Sequence, residues 1–322
     1  MKALVLGGTG FIGGQIVRAA LEAGYAVRGM RRRHAVGALG DLASHVEWVQ
    51  GNLDDVEALE AAARGCDVLF HAAAHYPDKS RDIAREVAYA EAQMEHVLTA
   101  ARQAGVGRLI YTSSLTTVGP PSEPGRLADE RDFYTSGSSG SAYYEVKLAM
   151  EQMALRAATE GAPVVVLLPA AVFGPGDVKP TTGQILLEVA KGRIPFYFDA
   201  VTNIVDGRDV AAAHIAAVER GRVGERYIIG GHNLALRDAL TLAAQAAGVA
   251  PPRLRLPRAV VDGLVRLANV LPGIELPDHF RTWRFWQPMS TFKAERELGL
   301  NPRPFEQTVR ETLAWFQEYR YL

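Results

Sequence analysis

Three glycines, Gly7, Gly10 and Gly13, stand at three-residue intervals between the apolar run Ala3 to Leu6 and a segment whose apolar residues recur at helical spacing. No other feature constrains the chain so tightly. A strand must end in a tight turn and a helix must begin within it. Residues without a Cβ permit that turn, a close backbone approach to an anion, and close packing of the helix on the strand. The turn's N–H groups and the positive end of the helix then face the same point, which suits a pyrophosphate. The helix, Phe11 to Ala23, carries Ile12, Ile16, Val17, Ala20 and Leu21 on one face and stops at Gly24.

The alternation continues. Strands are legible at Ala26–Met30, Val46–Val49, Val68–His71, Arg108–Thr112 and Pro163–Leu168, with helices at Val56–Ala63, Asp82–Ala104 and Ala142–Glu160. Strands alternating with amphipathic helices predict an α/β fold with a doubly wound parallel sheet. Beyond Pro169 the pattern loosens into a loop rich in Gly and Pro (Phe173–Gly183) and a helix at Gln184–Lys191. The segment Asn203–Asp209 precedes an alanine-rich helix, Val210–Arg220, expected to return to the sheet. Further amphipathic segments follow at Arg237–Ala247, Arg258–Ala268 and Pro304–Glu318. The expected division is a dinucleotide-binding domain over 1–169, with 203–220 packing back on it, and a smaller, interleaved C-terminal substrate-binding region from 170–202 and 221–322.

Composition narrows the partners. With a formal charge of −1 and no basic half, the chain lacks the footprint of a nucleic-acid binder; Arg31-Arg32-Arg33 is the local exception. The longest apolar run, Pro163–Phe173, falls short of the roughly 20 residues that cross a bilayer. The N-terminus lacks the order of a secretory signal, so no membrane partner and a cytoplasmic location are expected. One cysteine, Cys66, excludes an internal disulfide framework and reads as core. His71 and His75 stand four apart where a strand runs into a loop, so no metal site is expected. Trp283, Phe285 and Trp286 read as packing residues.

Two further patterns bear on chemistry. An NAD enzyme carries an acidic residue at the end of the second strand for the ribose 2′-hydroxyl, whereas this chain offers Arg31 and Arg32, which favours the 2′-phosphate of NADP; NAD is the alternative. In Ser141-Ala142-Tyr143-Tyr144-Glu145-Val146-Lys147, Tyr143 and Lys147 share one face of a helix start. An ammonium beside a phenol favours the phenolate, so the tyrosine can exchange a proton with a substrate oxygen. The strand ending at Thr112 runs into Ser113, Ser114, Thr116 and Thr117 at the sheet's carboxyl edge, where ligands of this architecture bind and a hydroxyl can stabilise charge on the reacting oxygen.

Together, GGTGFIG, YTSS, YYEVK and LPAAVFGPGD strongly resemble the extended short-chain dehydrogenase/reductase family, a Rossmann fold, and the resemblance covers nearly the whole chain. FGPGDVKPTTG and GERYIIGG are most similar to dihydroflavonol-reductase-like enzymes and hopanoid-associated sugar epimerases. The resemblance implies that Tyr143 is the acid/base, that Lys147 positions the ribose and the tyrosine, and that Ser114 binds the reacting oxygen, with Ser113 as the fallback. It assigns cofactor contacts to Gly7, Thr9, Gly10, Phe11, Ile12, Gly13, Arg31, Arg32, Asn52, Leu53, His71, Ala72, Ala73, Tyr143, Lys147, Pro169 and Val172. It assigns substrate contacts to His75, Thr116, Asn203 and Arg208, and a homodimer through the helices at 82–104 and 142–160. Two departures stand out: Asn52 replaces an aspartate, its carbonyl oxygen still able to accept from the adenine amine, and the helix near Tyr89-Ala90-Glu91 lacks the family's asparagine motif.

The expected activity is hydride movement between NADP and a hydroxyl-bearing carbon, on a nucleotide-sugar or related substrate. A ketone or dihydroflavonol-like carbonyl reductase is the first alternative, and a non-catalytic NADP sensor is the second.

Overall fold

The computed structural model describes residues 1–32, 37–73, 75–77, 80, 82–270 and 281–322; Arg33 lies outside them. The first half of the chain lays down β1 (Lys2–Leu6), α1 (Phe11–Glu22), β2 (Ala26–Arg31), β3 (Val46–Gln50), α2 (Val56–Ala63), β4 (Val68–His71), α3 (Ile83–Gln103), β5 (Arg108–Thr112), α4 (Ala142–Thr159) and β6 (Val164–Pro169). The central strands β1, β4, β5 and β6 are buried almost throughout, β6 at every position, as befits a sheet covered on both faces, while β2 and β3 toward one edge are partly exposed.

The rest comprises β7 (Ala171–Phe173), α5 (Gln184–Ala190), β8 (Phe196–Phe198), β9 (Val201–Asp206), α6 (Gly207–Arg220), β10 (Arg226–Ile229), β11 (His232–Ala235), α7 (Leu236–Ala247), β12 (Leu254–Leu256), α8 (Arg258–Val270), α9 (Phe292–Leu298) and α10 (Phe305–Glu318). The main sheet has the order β10-β6-β5-β4-β1-β2-β3, with every pairing parallel. The chain reverses direction across the sheet between β1 and β4, which opens a crevice at their carboxyl ends.

Periodicity decides which face each strand residue serves. Ala3, Val5, Phe70, Ile110, Val165 and Leu167 point into a core closed by α1 and α6. Leu4, Leu6, Leu69, Leu109 and Val166 point into a second core closed by α2, α3 and α4. Truncating a fully buried residue such as Ile16 to alanine costs ~2–5 kcal/mol. A third apolar cluster joins α5, α7 and α10 to Phe173, Phe198 and Ile204. It supports two small sheets, β11-β9-β7 and β12-β8.

The structure refines the expected boundaries. β10 completes the parallel sheet beside β6, and Ala294 and Leu298 of α9 enter the same core as α1 and α6, so 226–229 and 292–298, both within 221–322, pack on the main sheet. A four-residue edge strand is too short for its pattern to reveal which sheet it joins. Helix α6 begins at Gly207, three residues before the expected start, because the Asp206 carboxylate caps the Arg208 N–H. Among the described residues no helix is long and apolar enough to cross a membrane.

Candidate active site

The glycine turn is built against neighbouring backbone. Gly7 has φ +88°, and a Cβ there would lie 2.7 Å from the Ala73 nitrogen and 2.8 Å from the Ala72 carbonyl carbon. The Ala72-Ala73 loop after β4 therefore lies hard against the turn. A Cβ on Gly13 would approach the Gly7 oxygen to 2.1 Å, so α1 starts in direct contact with the end of β1. The Gly7 carbonyl also accepts the Gly10 N–H at 2.9 Å, and no described side chain caps the start of α1. A cradle with no side chains in the way and uncapped helix N–H groups fits a dinucleotide's pyrophosphate. Phe11 packs against Gly207, and the Gln15 amide donates to the Pro175 carbonyl, tying α1 to the loop after β7.

At the adenosine end, Arg31 lies over the Trp48 ring at 5.0 Å, and Arg32 is exposed. Asn52 is engaged in its own turn: its Oδ1 accepts the Asp54 N–H at 2.7 Å and keeps a second lone pair for a further donor. That turn is held by α3, where Gln93 donates to Asp54 at 2.9 Å and Tyr89 donates to it at 3.1 Å.

At the opposite end, β5 and α4 converge. Lys147 is buried and donates to the Thr112 carbonyl at 3.1 Å, two residues before Ser114. Burial lowers its pKa to about 8, against the opposing pull of the negative charge on Glu151. Ser114 begins a short 3-10 turn, Leu115–Thr117, and its Oγ accepts the Thr116 N–H at 3.2 Å, so its own proton remains to donate elsewhere. Tyr143 lies one helical turn before Lys147, its ring 4.5 Å from that of Tyr76. Ser113, the expected fallback, donates its hydroxyl proton to the buried Glu151 carboxylate. His71, fully buried, sits beside Tyr111 with ring centroids 5.4 Å apart; burial first, then the Lys147 charge, lowers its pKa to about 3, so it is neutral.

The four expected substrate contacts do not all converge. Thr116 is buried, and its hydroxyl has no partner among the described residues. His75 instead pairs with Glu86 and sets its ring edge-on to Tyr89. Asn203 is nearly inaccessible and spends its amide on Asn233 and the Gly231 N–H. Arg208 is held by Asp206 and Glu311. In their place the structure presents residues that sequence reading passed over: Tyr76 beside Tyr143, and a cluster of Tyr134, Tyr144 and Phe285. Gln287 donates to the Gly119 carbonyl at 2.8 Å and lines a cavity of about 450 Å³ walled by Trp283 and Trp286. The adjacency of Phe285 to Tyr144 had no signal in a single sequence.

The doubly wound sheet with a glycine turn after its first strand is the architecture of NAD(P)-dependent enzymes of the extended short-chain dehydrogenase/reductase class. The chain belongs to the NAD dependent epimerase/dehydratase family, whose profile matches residues 3–230. It is 33% identical over 338 residues to a putative dihydroflavonol 4-reductase of Synechocystis, covering 99% of this chain and 95% of that protein. It is 33% identical over 244 residues to cinnamoyl-CoA reductase 1 of Arabidopsis thaliana, covering 70% of this chain and 69% of that protein. Among solved structures, a nucleoside-diphosphate-sugar epimerase from Pseudomonas aeruginosa superposes with a TM-score of 0.85 at 29% identity, covering 100% of this chain and 99% of that one.

Proposed function

We propose that this protein is an NADPH-dependent carbonyl reductase acting on a ketone or activated carbonyl attached to an apolar, planar group. The observation that carries the reading is the buried Lys147 ammonium, fixed on the Thr112 carbonyl between Tyr143 and the Ser114 turn. Bound in the glycine cradle, NADPH supplies the hydride. Tyr143 donates its phenolic proton to the carbonyl oxygen, and the Ser114 hydroxyl donates a hydrogen bond to that oxygen as it becomes an alkoxide. Lys147 stabilises the phenolate left behind. Because the Lys147 pKa is about 8, reduction declines as pH rises above that value and the ammonium is lost.

The preference for an apolar carbonyl over a nucleotide-sugar replaces the expectation drawn from sequence. Arg208 and Asn203, the residues expected to hold a polar substrate, are engaged by internal partners. The neighbours of Tyr143 are aromatic instead. Relatives named as reductases point the same way. The preference for NADP rests on Arg31 and Arg32 at the end of β2.

The test is NADPH consumption at 340 nm with a dihydroflavonol, an aryl ketone and UDP-glucose as separate substrates. Stoichiometric oxidation with either carbonyl compound is expected. Conversion of UDP-glucose to its epimer without net NADPH loss would overturn the reading in favour of an epimerase.

A further inference from the structure

Helix α4 carries a third functional position that the tyrosine–lysine pair does not use. Glu151 follows Lys147 by four residues, as Lys147 follows Tyr143, so the three side chains lie along one face. Its side chain is fully buried in a web of contacts. One carboxylate oxygen accepts from Ser113 and, at 2.7 Å, from the Thr117 hydroxyl. The other lies 2.6 Å from Nε of Arg226, itself 4% exposed at the start of β10. Arg226 also donates to the Thr117 carbonyl at 3.0 Å and to the Glu130 carbonyl at 2.9 Å, and it stacks over Phe133 at 3.9 Å.

The placement of these contacts is specific. Ser113 and Thr117 bracket Ser114 and its turn, so the ion pair grips both ends of the segment that presents the Ser114 hydroxyl. The same carboxylate belongs to the helix that presents Tyr143 and Lys147. Arg226 anchors the assembly to the edge strand of the sheet. Burying two charges costs more desolvation than an apolar pair would, so the benefit of this pair is in placement rather than in stability. Its negative end also faces Lys147 and works against the burial that drives off the lysine's proton.

We propose that the buried Glu151–Arg226 pair is a positioning element of the active site: it holds the Ser114 turn at a fixed distance from the helix that carries Tyr143 and Lys147. The proposal rests on the serine–tyrosine–lysine reading above. It concerns no residue in contact with substrate or cofactor.

The test replaces both charges at once, Glu151→Gln with Arg226→Met, so that no lone charge stays buried. The variant should bind NADPH with unchanged Kd. Its kcat for carbonyl reduction should fall roughly 30-fold or more with KM nearly unchanged, and its alkaline limb should move to lower pH, because the Glu151 charge that opposes deprotonation of Lys147 is gone. A purely structural role would lower the melting temperature and leave the limb in place. A folded double variant with kcat within about twofold of wild type and an unmoved limb overturns the proposal.

Where the double variant does not fold, Glu151→Asp decides, because it keeps the charge and withdraws the carboxylate by one methylene. A roughly tenfold loss of kcat with the alkaline limb unmoved supports positioning, and unchanged kcat refutes it. Tyr143→Phe assayed alongside separates the two levels: if it retains full turnover, the catalytic reading itself has failed. If it is inactive while both pair variants are unaffected, only the positioning proposal has failed.

Discussion

Replacing Gly13 by alanine should damage both cofactor binding and folding, and the geometry sets the size of each effect. The added Cβ would lie 2.1 Å from the Gly7 oxygen and 2.5 Å from its carbonyl carbon, whereas ordinary contact begins at 3.4 Å. The carbonyl must therefore retreat by 3.4 − 2.1 = 1.3 Å. It has little freedom to do so, because Gly7 is backed by Ala72 and Ala73 and its oxygen accepts the Gly10 N–H at 2.9 Å. Losing that hydrogen bond costs ~1 kcal/mol and overpacking a further ~1–3 kcal/mol. For a chain of this length the total lowers the melting temperature by on the order of 5 °C. The pyrophosphate site moves with the turn, and losing one backbone N–H contact to the anion, about 1.5 kcal/mol or more, should weaken NADPH binding by at least about tenfold. Melting curves and a fluorescence titration of NADPH measure the two effects separately. Gly24→Ala is the comparison: its φ is +78°, but the added Cβ meets nothing within 4 Å, so it should cost some stability and leave the NADPH Kd unchanged. A Gly13→Ala protein that binds NADPH within about threefold of wild type would refute the argument that this contact shapes the cradle.

Other expectations follow from the site and the core. Tyr143→Phe removes the proton donor and should lower kcat by ~10²–10⁴ with NADPH affinity unchanged, checked by steady-state kinetics beside a binding titration. Arg32→Glu places a carboxylate where the 2′-phosphate is expected, so the ratio of kcat/KM for NADPH to that for NADH should fall by at least about tenfold; an unchanged ratio would remove Arg32 from the cofactor site. Acid should destabilise the fold below pH 6.5. Burial holds the His71 pKa at about 3 and the His214 pKa at about 4, so the unfolded chain takes up two protons that the folded one refuses. That stability is fully present above pH 6.5 and is lost as pH falls from there toward 4. At pH 4.5 the two histidines together cost about 5 kcal/mol, while Asp177, pushed up to about 6 by burial, offsets about 2 kcal/mol. The histidine contribution should appear in urea unfolding as stability lost below pH 6.5, opposed also by the raised Glu130 and Asp209 carboxyls, and His214→Gln should remove about half of it.

The sequence by itself determined the fold class and nominated the central groups. Strand and helix periods in the first 169 residues alternate strongly enough to specify a parallel sheet, because each run is long relative to the pattern it must display. The glycine spacing specified the cradle, since only residues without a Cβ fit there, and the Tyr143–Lys147 spacing specified a shared helix face. These are local signals, legible wherever the chain folds.

What the tertiary structure decided is everything that depends on which side chain another residue has already claimed. Ser113 and Ser114 are chemically identical in sequence; Glu151, 37 residues beyond Ser114, takes the proton of the first, while the second accepts the Thr116 N–H. Asn203, Arg208 and His75 looked available until Asn233, Glu311 and Glu86 were seen to hold them. Glu151 could have been selected as the next position on the Tyr143–Lys147 face, but its partner Arg226 lies on a four-residue edge strand whose place in the sheet no local pattern fixes. Periodicity assigns a residue to a face. Competition among buried polar groups for a limited set of partners then assigns its role, and that competition is settled only when the strands and helices have met.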